Sequence, residues 1–154
     1  MPNIASDIGL QPSQPDMIPI ADPEADVRSC RDAILEAIDR VLCSGRYILG
    51  EEVDGFEQEW AQYLGARYAI GVANGTDALA LALKGVGIDP GDEVLTVSHT
   101  AVATLAAIES IGAVPVLVDM DPSSRCMDPR LLESMVSPRT RAVVPVHIYG
   151  QPAD

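Results

Sequence analysis

The sequence predicts an α/β fold built on a mainly parallel sheet flanked by helices. From residue 67 onward, strand-like and helix-like segments alternate, the order that parallel strands with right-handed helical crossovers require. The strand-like segments, among them "EVLTV" and "VPVLV", are near-continuous apolar runs, as expected where both faces of a sheet are covered. A third observation is the stretch "GVANGTDALALAL". Asn74-Gly75 signals a hairpin when alternating strands flank it. Here a run of Ala and Leu follows, which forms helix.

Each element has its own local reason. Residues 1–22 are rich in Pro, Ser, Asp and Gln and read as an extended or flexible lead-in. Residues 23–154 read as a partial domain. Val27, Ile34, Leu35, Ile38, Val41 and Leu42 recur near a period of 3.6 and predict a helix over about 27–42. "SGRYILGEE" interrupts it. Phe56, Trp60 and Leu64 mark a second amphipathic helix over about 53–64, with Gly65 just past its end. Strands are then predicted at 67–73, 92–98, 113–120 and 140–149, and helices at 76–86, 101–112 and 128–136. The chain stops at "VHIYGQPAD", just after a strand and without a closing helix. That leaves a sheet edge and an apolar face uncovered, and predicts the front part of a longer protein.

Composition narrows the function classes. The chain has 154 residues, enough for one domain with a core. A net charge of −13 without any basic cluster argues against nucleic acid or an anionic membrane as a partner. It leaves room for a phosphorylated small molecule held by backbone amides. The N-terminus lacks the basic and apolar regions of a secretory signal. No segment approaches the roughly 20 apolar residues of a membrane span. Cys30, Cys43 and Cys126 are widely spaced, and predict buried small hydrophobes in a reducing cytoplasm, with no disulfide framework and no zinc site.

A strand running into Asn74-Gly75 and then a helix from Thr76 builds an anion cradle. Gly75 lets a ligand approach the backbone, and the first-turn amides lack intrahelical acceptors. The helix dipole favours a phosphate there, and Thr76 adds a hydroxyl. Asp77 either caps the helix or repels an anion. Spacing alone also allows a turn that serves geometry only, since neither the Walker pattern nor the dinucleotide fingerprint is present. His99 and His147 fall at the carboxyl ends of strands, the ligand side of open α/β sheets, but each taken alone reads first as a satisfied polar residue at a strand end. Asp119 and Asp121 in "VDMDP" suit a metal, a ribose or a plain turn.

Three stretches together resemble one family: "YILGEEVDGFEQEWAQYLGARYAIGVANGTDALALAL", "GDEVLTVSHTAVATLAAIESIGAVPVLVDMD" and "MDPRLLESMVSPRTRAVVPVHIYGQPAD". In this order they look like the DegT/DnrJ/StrS family of pyridoxal-phosphate-dependent nucleotide-sugar aminotransferases, from about Ile18 to the last residue. The resemblance covers less than half of such an enzyme. It implies the N-terminal part of the large domain of an aspartate-aminotransferase-type fold, incomplete here. It also implies a homodimer that moves an amino group, usually from glutamate, to a nucleotide-linked keto-sugar.

By the same resemblance, Gly75 and Thr76 meet the cofactor phosphate. Ala101 stands where many members carry an aromatic residue that stacks on the cofactor ring. The family's Schiff-base lysine and ring-nitrogen aspartate fall beyond residue 154, so no core catalytic group is expected in this chain and no activity from it alone. The sole lysine, Lys84, lies about 15 Å along the helix from the cradle and reads as a partner of the helix dipole. The family's sheet pairs "RYAIGVA" with a strand from late in the large domain. That segment is therefore expected to lack its neighbour here, which predicts aggregation or partial folding. Two other readings stay open: a sugar dehydratase on the same scaffold, with histidine in place of the lysine, and a short non-catalytic binding or regulatory protein.

Overall fold

Asp22 starts the first helix: its side chain accepts a hydrogen bond from the Ala25 amide at 3.1 Å, ahead of Pro23 in the first turn. The computed structural model describes residues 20–154. The predicted lead-in of residues 1–22 therefore lies, up to residue 19, outside the described residues. The chain divides into two compact units, one ending at Ala69 and one spanning Ile70–Asp154.

In the first unit, α1 runs Pro23–Ser44 and ends at Gly45, whose φ of 65° is the left-handed conformation that glycine adopts freely. It starts one turn earlier than its apolar stripe predicts, because the cap and the proline extend it. α2 runs Glu51–Leu64, with Glu51, Glu52 and Asp54 opposing the positive end of its dipole. Arg40 on α1 donates to Glu52 on α2 through Nε at 2.7 Å and a terminal nitrogen at 3.2 Å. The predicted apolar stripe of α1 exists, but no residue of this helix is buried, and Ile34, Leu35, Ile38 and Leu42 are all exposed. Cys30 and Cys43 sit on α1 and are exposed as well, contrary to expectation, while Cys126 is buried.

The second unit contains α3 (Gly75–Gly85), β1 (Glu93–Val97), α4 (Val102–Ser110), β2 (Val114–Val118), α5 (Pro129–Met135) and β3 (Thr140–Val144). The three strands form one parallel sheet in the order β2-β1-β3. All five residues of central β1 are buried, whereas β2 and β3 at the edges are only partly so. Alternation along β1 splits its side chains between two cores. Val94 packs with Leu83, Ile88, Ile108, Ile111 and Ala113, beneath α3 and α4. Leu95 and Val97 pack with Val118 and Met127, backed by Leu132 of α5.

One predicted element is missing: residues 67–73 form no strand. Tyr68 and Ile70 are largely exposed. A strand is stabilised by pairing with a neighbour, and β2-β1-β3 contains none for this segment. The strand predicted over 140–149 also stops early, at Val144. Beyond it the chain turns through Pro145, which has no ladder donor, into a short 3₁₀ turn at Ile148–Gly150. Among the described residues, no helix is long and apolar enough to cross a membrane.

Candidate functional site

The start of α3 is built by a reciprocal cap. Asn74 Oδ1 accepts from the Asp77 amide at 2.9 Å, and Asn74 Nδ2 donates to Asp77 Oδ2 at 2.9 Å. Asn74 is therefore the cap, and the Asp77 carboxylate turns back to accept from its side-chain amide rather than capping the helix itself. The amides of Gly75 and Thr76, at the first two helical positions, have no intrahelical acceptor. A Cβ added at Gly75 would meet no atom of the chain within 4 Å, so internal packing does not require the glycine. An open backbone there suits close approach by a group from outside. These donors, the Thr76 hydroxyl and the helix dipole match the chemistry of a phosphate ester.

The carboxyl edge of the sheet gathers the other candidates, because β1, β2 and β3 all run the same way. Ser98, His99 and Thr100 follow β1, Asp119 follows β2, and His147 and Tyr149 follow β3. His99 Nε2 and the Tyr149 hydroxyl are 3.2 Å apart. Thr100 and Thr104 share a hydroxyl hydrogen bond of 2.8 Å, which ties the β1 end to the first turn of α4. Ala101 is the N-cap residue of α4 and gives it no side-chain cap; its methyl group is exposed. His147 has a structural role: its Nδ1 accepts from the Ala153 amide at 2.9 Å. Tyr149 was not singled out in the sequence. Its position between a strand end and Gly150 was the available signal.

The two aspartates make turns. Asp119 Oδ1 accepts from the Met120 amide at 3.0 Å and from the Ser98 hydroxyl at 3.4 Å. Asp121 accepts from the Ser123 hydroxyl and from the Ser123 and Ser124 amides at 2.7 and 3.1 Å. Those bonds, the Ser123 hydroxyl first, hold its carboxyl below the usual range, and the Arg130 guanidinium adds to the effect. Among the described residues, no group of three or more His, Cys, Asp or Glu could hold a metal. Lys84 lies in the last turn of α3, exposed, at the opposite end of the helix from Asn74 and Gly75.

Residues 28–154 match the DegT/DnrJ/EryC1/StrS aminotransferase family. The chain is 49% identical over 137 residues to dTDP-3-amino-3,4,6-trideoxy-alpha-D-glucose transaminase from Streptomyces venezuelae, covering 89% of this chain and 36% of that protein. Its fold superposes on the crystal structure of DesV from S. venezuelae with a TM-score of 0.86 and 49% identity, over 89% of this chain and 37% of that one. The structure of NtdA from Bacillus subtilis, with its bound cofactor PMP, matches with a TM-score of 0.77 and 36% identity, over 80% of this chain and 28% of that one. The chain thus spans about a third of the length of the curated relatives it matches. With its α/β architecture, its parallel sheet and a match over most of its length, the chain belongs to the DegT/DnrJ/EryC1/StrS aminotransferase family.

Proposed function

We propose that this chain is the phosphate-holding part of a pyridoxal-phosphate-dependent aminotransferase that moves an amino group, from glutamate, to a nucleotide-linked keto-sugar. The observation that carries the reading is the start of α3. Asn74 and Asp77 satisfy each other there, while the amides of Gly75 and Thr76 face outward. A phosphate ester would accept from those two amides and from the Thr76 hydroxyl. Ala101, at the start of α4, would leave space beside the cofactor ring. When bound, the cofactor supplies an electron sink for the transferred amino group. The S. venezuelae transaminase, whose name carries a dTDP-linked amino sugar, supports the substrate class.

The remaining parts of the reading follow from the residues. The sole lysine is Lys84, at the wrong end of α3 to reach the cradle, so this chain binds the cofactor without forming a covalent link and does not turn over substrate. The whole enzyme works as a homodimer in the cytoplasm, and the exposed apolar residues of α1 and α2 are consistent with surface that an assembly covers.

The test is a titration of the purified chain with pyridoxal 5'-phosphate, followed by absorbance, with inorganic phosphate as competitor. The expected result is saturable binding that phosphate displaces and that Gly75→Val abolishes. Binding that is indifferent to phosphate and to Gly75→Val would move the site away from α3.

A further inference from the structure

We propose that His99 and Tyr149 form a hydrogen-bonded aromatic wall for a planar ring ligand at the carboxyl edge of the sheet, with Tyr149 as the positioning residue that holds the His99 imidazole. The proposal deepens the cofactor reading above and rests on it: the ring is that of pyridoxal phosphate.

Tyr149 is the sole Phe, Trp or Tyr after residue 69. An aromatic side chain usually supplies buried area to a core. This one does not, since 80% of Tyr149 is exposed. Its backbone is also costly: φ 54° and ψ 24° put a bulky residue in the left-handed region. The left-handed Gly150 follows directly, so the chain makes a tight turn here. The His147–Ala153 hydrogen bond closes that turn on itself. The result is to aim the phenol at His99. Its oxygen is 3.2 Å from Nε2, and the ring centroids are 5.8 Å apart at 56°.

The placement agrees with a ligand role. β1 and β3 are adjacent and parallel, so His99 and Tyr149 emerge on the same edge, the one where open α/β sheets bind ligands. His99 stands two positions before Ala101, whose methyl offers no ring surface. An imidazole fixed by a phenol supplies that surface, and a pyridine ring is a suitable partner for offset or tilted aromatic contact.

The experiment titrates wild-type chain, His99→Ala, His99→Phe and Tyr149→Phe with pyridoxal 5'-phosphate, and separately with inorganic phosphate. Histidine side-chain ¹H–¹⁵N spectra are recorded for wild type and Tyr149→Phe. The wall predicts that His99→Ala and Tyr149→Phe each weaken pyridoxal phosphate about three- to tenfold. His99→Phe, which keeps a ring, retains the affinity. Inorganic phosphate binds all four proteins alike, and Tyr149→Phe moves the His99 Nε2 resonance. Intact binding of pyridoxal phosphate that ignores the three substitutions overturns the wall alone. So does a parallel loss of inorganic phosphate, or an unmoved His99 signal. Failure of the wild-type chain to bind pyridoxal phosphate overturns the cofactor reading, and the wall with it.

Discussion

Glu93 and Arg139 hold each other twice, through backbone and side chain, where β1 begins. The Glu93 amide donates to the Arg139 carbonyl at 2.9 Å, and Arg139 Nε donates to Glu93 Oε1 at 2.9 Å. The Ser137 hydroxyl donates to the other carboxylate oxygen at 2.5 Å. The contact sits on the register shift between Glu93 and Val94, where β3 takes one extra residue against β1. A buried carboxylate is thereby satisfied by a turn far away in sequence.

Acid should expose this contact. The Ser137 hydroxyl, then Arg139, holds the Glu93 carboxyl below its ordinary value. A carboxyl lowered in the folded state stabilises the fold above the unfolded pKa, and that contribution disappears as pH falls through the folded pKa. Asp121 and Asp128 are lowered too, the latter first by its hydrogen bond with Arg130. Stability should therefore fall as pH drops below the ordinary carboxylate range. Urea melts across that range should be flatter for Glu93→Gln than for wild type, from a lower starting stability. Equal slopes would remove Glu93 from the explanation.

Leu95 tests the sheet core. It is fully buried in the centre of β1, among Val97, Val118 and Met127. Leu95→Ala should cost about 2–5 kcal/mol through lost burial and the cavity left behind. Chemical denaturation followed by circular dichroism measures it. A cost near zero would mean that the core relaxes to fill the gap.

The cap of α3 gives a local prediction. Asn74→Ala removes the acceptor of the Asp77 amide and frees the Asp77 carboxylate. The cost should be about 1 kcal/mol. Hydrogen exchange should speed up at the amides of the first turn and stay unchanged in β1. Gly75→Ala, whose added methyl group meets nothing, should change stability little and weaken phosphate binding.

The exposed stripe of α1 predicts self-association. Ile34, Leu35, Ile38 and Leu42 are 39–60% exposed along one helix. Light scattering should report a mass that rises with concentration, and Ile38→Glu should lower it without unfolding the sheet. A monodisperse monomer at high concentration would contradict this.

The helices were legible because their causes are local. The 3.6 period of Val27 to Leu42, Gly45 and Gly65 past two helix ends, and Asn74 ahead of the Ala-Leu run are all read within one or two turns of chain. The parallel sheet was legible from apolar runs alternating with helices. The start of α3 was legible as a position, Asn74-Gly75, but the direction taken by Asp77 was not. That depended on where Asn74 placed its amide.

Sequence alone thus determined the kinds of element, most of their positions and the family resemblance. Tertiary structure decided what pairing and burial require. Residues 67–73 have the composition of a strand and form none, because a strand needs a paired neighbour and neither edge of the β2-β1-β3 sheet pairs with them. Cys30 and Cys43 are exposed because α1 buries no side chain, which composition cannot tell. Tyr149 meets His99, and Glu93 meets Arg139, across long stretches of chain. Such contacts arise from the parallel register of β1 and β3, which brings distant residues together at each end of the strands, and no local pattern encodes them.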